Sequence, residues 1–125
     1  MENKKKILIV EDDPATRAAL KDALQKETDL EVWESGDGKE ALDAVRKFAP
    51  DMALVDVDIP GIDGITLVKM LADEGLTNKT KIMFLTNSSD LNRISAASAT
   101  KGVIGYLIKS DWDVADIINQ VKTNI

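Results

Sequence analysis

An α/β fold, with a five-stranded parallel sheet wrapped by helices, follows from two patterns in the sequence. Five short apolar runs alternate with five segments of helical period, and the first, third and fourth runs lack polar alternation. A short uninterrupted apolar run suits a strand buried on both faces, as inside a parallel sheet. A third observation sets the scale. The chain has 125 residues, 44% of them apolar, which fits one domain with one sizeable core.

The runs are 7–10, 30–33, 52–55, 81–85 and 103–108. The first helix is expected to open with Asp13 as N-cap and Pro14 at its first position, where a missing N–H does no harm. Its inner face should carry Ala19, Leu20, Ala23 and Leu24. The second opens at Asp37 with Glu40 three residues on, a capping-box pattern, and shows Leu42, Val45 and Phe48 on one face before Pro50 stops it. The third spans about 63–74, with Ile65, Val68, Leu71 and Ala72 inward and Gly75 as the stop. The fourth, about 88–100, offers only Leu91 and Ile94 as large anchors, so it should be held less firmly than its neighbours. The fifth reads as starting at Ser110, with Asp113 three residues later and a stripe of Val114, Ile117, Ile118 and Val121.

Strict β-α alternation implies right-handed crossovers and an open doubly wound sheet, for which the flavodoxin-like order 2-1-3-4-5 is the common solution. No linker, repeat or low-complexity stretch interrupts the chain, and the last helix ends close to residue 125. The expectation is one domain over 1–125 with no room for an output domain.

Composition removes several chemistries. There is no cysteine, so disulfides, thiolate catalysis and cysteine-zinc sites are excluded. There is no histidine, which excludes a serine-histidine triad and a histidine-bound metal. A metal here would need oxygen ligands, favouring Mg²⁺, Ca²⁺ or Mn²⁺. The formal net charge of −6 weighs against non-specific nucleic-acid binding. No apolar run approaches the roughly 18 residues needed to span a membrane, and 7–10 is too short for a signal peptide. A cytoplasmic protein without membrane or direct nucleic-acid partners is the expectation.

Ligands of such sheets bind beyond the carboxyl ends of the strands, between strands one and three. Strand one is followed by Glu11-Asp12-Asp13, strand three by Asp56, strand four by Thr86 and strand five by Lys109. Taken singly, each has an ordinary explanation as a cap, a turn residue or a solvated charge. Together they form a complementary set. Crowded carboxylates repel unless a cation neutralises them, and Mg²⁺ accepts a few carboxylates alongside water and substrate oxygens. A lysine adds a second positive point and a threonine a hydrogen bond. Phosphoryl transfer needs such positioning and charge stabilisation, with a carboxylate as nucleophile. Asp56, alone at the centre of the edge, is the best candidate.

Four segments, Ile-Leu-Ile-Val-Glu-Asp-Asp-Pro at 7–14, Leu-Val-Asp-Val-Asp-Ile-Pro-Gly-Ile-Asp-Gly at 54–64, Leu-Thr-Asn at 85–87 and Gly-Val-Ile-Gly-Tyr-Leu-Ile-Lys at 102–109, resemble the CheY-like receiver domains of two-component response regulators. The resemblance covers essentially the whole chain. It implies that Asp56 accepts the phosphoryl group, and that Glu11 and Asp12 are the acidic pair that helps hold Mg²⁺ (or Mn²⁺), with Asp12 the direct ligand. Asp13 is left as a helix cap, although a run of three acids leaves the register open. Asp58 would contribute its backbone carbonyl to the metal. Thr86 matches the switch hydroxyl, Tyr106 the switch aromatic, and Lys109 the lysine that pairs with the phosphoryl oxygen. Pro60, Gly61 and Gly64 would shape the loop after strand three.

Two positions depart from the family pattern. Ser110 stands where a proline with a cis peptide is usual, and a cis bond to serine would cost about 2.5–4 kcal/mol, so a trans bond is expected, with Ser110 capping the fifth helix. Asn87 replaces a very small residue and would alter access to Asp56. The implied chemistry acts only on the protein itself. Asp56 takes the phosphoryl group from an external phosphohistidine on a sensor histidine kinase or phosphotransfer protein, and an output partner reads the face of helix four, strand five and helix five. Two other readings stay open on the residues. Asp56-Val-Asp-Ile also resembles the Asp-x-Asp motif of haloacid-dehalogenase-type phosphatases, and a receiver-like binding module need never be phosphorylated.

Overall fold

The computed structural model describes residues 4–87 and 91–125. The strands are β1 (Lys5–Val10), β2 (Leu30–Ser35), β3 (Met52–Asp56), β4 (Lys81–Thr86) and β5 (Val103–Ile108). The helices are α1 (Pro14–Gln25), α2 (Gly38–Phe48), α3 (Gly64–Asp73), α4 (Leu91–Ser98) and α5 (Val114–Asn124). The sheet order is β2-β1-β3-β4-β5, with every neighbouring pair parallel. The expected fold class and strand order are both observed.

The period of two along each strand explains the uninterrupted apolar runs. Leu8, Val10, Ala53, Val55, Ile82 and Phe84 point to one face, where α2, α3 and α4 cover them. Ile7, Ile9, Met52, Leu54, Met83 and Leu85 point to the other, beneath α1 and α5. All five residues of β3 are buried. A central strand therefore has apolar residues on both faces, and the first polar side chain it can carry comes where it leaves the sheet, at Asp56.

Several local expectations hold. Asp13 caps α1, accepting from the Thr16 N–H at 3.0 Å. Asp37 caps α2, accepting from the Glu40 N–H at 2.8 Å without the reciprocal Glu40 bond of the expected capping box, and the helix stops before Pro50, with Ala49 in the left-handed region at φ 46°. The third helix falls within its expected span, and Asp63, not named as a cap from the sequence, caps it through the Thr66 N–H at 2.9 Å.

Others are corrected. Ala19 is exposed, because it faces the groove between α1 and α5 while Leu20 and Leu24 meet the sheet. Leu67 is fully buried in α3, whereas Ala72 is only half-buried. β2 extends two residues past its apolar run, since pairing with β1 carries it to Ser35. Ser110 does not cap α5. Residues Lys109–Asp111 form a 3-10 turn, and Asp113 and Asp116 bond reciprocally to each other's backbone N–H at the start of α5. A carboxylate cap also complements the positive end of the helix, which a neutral serine cannot do. Val114 is then the first helical residue and stays partly exposed. No peptide bond among the described residues is cis, so the Lys109–Ser110 bond is trans, as expected. In α4, Ile94 and Ala97 are the buried residues of the described part; the expected start at 88–90 and the Leu91 side chain lie outside the described residues.

Two substitutions test how this frame is held. A Cβ on Gly64 would lie 2.3 Å from the Asp56 carbonyl oxygen, so Gly64→Ala should destabilise by about 1–3 kcal/mol, read as a lower urea midpoint with an unchanged slope. Asp63 is the second case. Its partial burial favours the neutral acid, yet the Thr66 hydrogen bonds and Arg93 outweigh this and hold its carboxyl below the usual 3.8. A lowered carboxyl stabilises above its unfolded value, and that contribution is lost as pH falls through the folded value. Asp63→Ala should therefore destabilise by about 1 kcal/mol at neutral pH, with the difference from the parent protein shrinking below about pH 4 in paired urea titrations.

Candidate functional site

The carboxyl ends of β1, β3, β4 and β5 converge at one rim. Asp56 closes β3 and pairs in register with Leu85, which sets Thr86 one residue further along the adjacent strand. Thr86 pairs in turn with Ile108, and Lys109 follows directly. Glu11 follows Val10, with its N–H donating to the Ser35 carbonyl at 3.1 Å. The sheet register thus places Asp56 and Thr86 on neighbouring strands and brings Glu11 and Lys109 to the same rim directly after theirs.

Glu11 is 1% exposed, Asp56 5% and Thr86 0%. The Lys109 ammonium lies between the two acids, 2.7 Å from Glu11 Oε2 and 3.1 Å from Asp56 Oδ2. The other Asp56 oxygen, Oδ1, accepts the Asp58 backbone N–H at 3.0 Å. That bond turns the Asp58 backbone toward Asp56 while its side chain stays exposed. Asp12 is also exposed, yet oxygens of Glu11, Asp12 and Asp56 lie within 4.8 Å of one another. Asp13 stays with its helix as a cap and is not among these clustered oxygens. Tyr106 is 36% exposed on β5 and pairs with Phe84.

The electrostatics show a surplus of negative charge. Burial pushes the Glu11 carboxyl up to about 7, and hydrogen bonding with Asp56 adds to the rise; Lys109 only partly offsets it. Burial alone would lower the Lys109 ammonium, but the Glu11 hydrogen bond and the Asp56 charge outweigh that and raise it. One ammonium does not compensate three clustered carboxylates. An oxygen-only donor set of this spacing suits a hard divalent cation, and the chain has neither cysteine nor histidine to offer instead.

Two features of the site were not read from the sequence. Lys109 bonds to Glu11 as well as to Asp56. Arg17, one turn into α1, donates from Nη1 to the Glu11 carbonyl at 2.9 Å. Helical spacing shows that Arg17 follows Asp13 by one turn, but not which loop its guanidinium reaches. A groove of about 550 Å³ opens beside the rim between α1 and α5, lined by Ala15, Ala19, Asn87, Lys109 and Trp112 among others. Among the described residues, no helix is long and apolar enough to cross a membrane.

Comparison with known proteins agrees with this geometry. Residues 7–122 match the family model of the response regulator receiver domain. Sporulation initiation phosphotransferase F of Bacillus subtilis is 32% identical over 117 residues, covering 94% of this chain and 90% of the relative. Transcriptional regulatory protein DegU of Brevibacillus brevis is 31% identical over 122 residues, covering 97% of this chain but 50% of the relative. This chain spans about half the length of several curated relatives it matches. The crystal structure of a CheY-like receiver domain protein from Methanospirillum hungatei superposes with a TM-score of 0.85 at 26% identity, covering 97% of this chain and 93% of that one. With a match over nearly the whole sequence, a parallel sheet of order 2-1-3-4-5 and an acidic rim bridged by lysine, the chain belongs to the response regulator receiver family, the phosphoacceptor domains of two-component signalling.

Proposed function

We propose that Asp56 is the phosphoacceptor of this receiver and that residues 1–125 act as one regulatory domain. The observation that carries the assignment is the Lys109 ammonium held between Asp56 and Glu11 at the carboxyl edge. An Asp56 carboxylate oxygen attacks the phosphorus of a phosphohistidine on a histidine kinase or phosphotransfer partner. The new O–P bond forms as the N–P bond breaks, and the electron pair returns to the donor imidazole. The donor is external because this chain has no histidine. The groove between α1 and α5 reaches the rim beside Lys109 and gives such a partner a route to it.

Glu11, Asp12, Asp56 and the Asp58 carbonyl would hold Mg²⁺, which supplies positive charge to the phosphoryl oxygens. Lys109 supplies the second cation. The Asp58 N–H orients the acceptor carboxylate through Oδ1, leaving Oδ2 on the lysine side. Phosphorylation adds about −1.5 to −2 charges at this rim. The Thr86 hydroxyl then turns toward the new oxygens and Tyr106 moves inward, shifting the α4–β5–α5 face that an output partner reads. Asn87, exposed at the groove edge, restricts entry to Asp56. The same site directs water to the acyl phosphate, so the chemistry acts on the protein itself.

The phosphatase and unphosphorylated-module readings lose support to the family match over 7–122. Incubation with Mg²⁺ and acetyl phosphate should place one hydroxylamine-sensitive acyl phosphate on Asp56, located by peptide mass spectrometry. Asp56→Asn should abolish it, and chelation of Mg²⁺ should reduce it at least tenfold, since the metal's charge stabilisation is worth several kcal/mol. Label on another residue, or undiminished label in Asp56→Asn, would overturn the assignment.

A further inference from the structure

We infer that Arg17 is a positioning residue for the metal site, acting through the backbone of Glu11; the inference rests on the metal assignment above. The loop from β1 to α1 is three residues long, Glu11 to Asp13, and both of its ends are fixed. At one end the Glu11 N–H donates to the Ser35 carbonyl at 3.1 Å, and the Glu11 carbonyl accepts from Arg17 Nη1 at 2.9 Å. At the other end Asp13 is bonded to the Thr16 N–H as the α1 cap. Asp12 lies between the two anchors. Its side chain is exposed, so packing does not set its place; the backbone on either side does.

The guanidinium is itself seated. A Cβ on Gly36 would stand 3.1 Å from Arg17 Nη1, so the absence of a side chain there lets the guanidinium lie against the backbone after β2. Arg17 Nε is 4.0 Å from Glu34 Oε1, and Lys21 engages the other oxygen of Glu34 at 3.3 Å. Arg17 thereby ties together α1, the end of β2 and the loop that carries two of the three clustered carboxylates.

Charge and position make opposite predictions. A positive charge near an acidic cluster weakens its affinity for a cation, so if Arg17 acted only through its charge, Arg17→Ala would tighten Mg²⁺ binding. If it acts by holding Glu11 and Asp12 in place, the same change weakens binding. Gly36→Ala keeps the charge and disturbs only the seat.

Mg²⁺ affinity is measured by isothermal titration of the unphosphorylated full chain, with urea unfolding beside it and the acetyl phosphate reaction run across Mg²⁺ concentrations. The expected result is a roughly 3- to 10-fold weaker Mg²⁺ affinity for Arg17→Ala, less than the roughly 10- to 100-fold lost when a partner bonded directly to a metal ligand is removed, because Arg17 holds the Glu11 backbone and not a ligating oxygen. A smaller weakening is expected for Gly36→Ala. The phosphorylation rate should recover at saturating Mg²⁺ in both. Unchanged or tighter Mg²⁺ binding in Arg17→Ala, at whatever stability, would overturn the inference, as would a rate deficit that saturating Mg²⁺ leaves in place. Failure of the parent protein to bind Mg²⁺ would instead overturn the metal assignment beneath it.

Discussion

Two carboxylates buried at one rim require a cation between them, and Lys109 supplies it. Its ammonium lies 2.7 Å from Glu11, which directly follows β1, and 3.1 Å from Asp56, which closes the neighbouring β3, while the lysine itself arrives from the edge strand β5. Removing one partner from a buried ion pair leaves an uncompensated charge, the more damaging state. The rim therefore tolerates its acids only while β1, β3 and β5 keep their relative register. Burial, with Asp56 beside it, still pushes the Glu11 carboxyl up to about 7, and three clustered carboxylates facing one ammonium leave room for a divalent cation.

The register comes from the parallel sheet. Because β3 is buried on both faces, its apolar residues fill both cores and its one polar side chain falls at the exit. The loop after it returns at once to the sheet. The Gly64 N–H bonds to the Val57 carbonyl at 2.9 Å, and Val57 and Ile59 are buried beneath it. This leaves Asp58 with its backbone inward and its side chain outward. The same apolar burial that stabilises the fold thus fixes Asp56 at the rim.

Most of this was legible in the sequence, for a physical reason. Strand ends are marked by the change from apolar to polar residues, and in a parallel sheet all those ends lie on one edge; Glu11, Asp56, Thr86 and Lys109 could be grouped on that basis. Local caps were legible where one acceptor stood at the right spacing, as at Asp13 and Asp37. The reading failed where two acceptors competed. Ser110 and Asp113 both begin a box-like pattern, and the outcome depended on the stronger carboxylate acceptor and on the turn that carries Lys109. Ala19 failed for a different reason, since a small apolar residue fits either the sheet or a helix groove. Arg17 lay beyond reach because a long side chain can serve several loops.

The substitution of Ser110 for the proline usual in receivers bears directly on that turn. Proline would fix the chain after the lysine covalently. Here the bond is trans, and the constraint is spread over three weaker elements. Lys109–Asp111 closes a 3-10 turn, Trp112 packs its half-buried ring against the core beneath α1 and α5, and Asp113 begins α5 through its reciprocal bonds with Asp116. The ammonium is then held by what it contacts, Glu11 and Asp56, as much as by the backbone behind it. The lysine thus rests on the acids for its placement, and the acids rest on the lysine for their burial, which links the rim at Asp56 to the end of β5 through one ammonium.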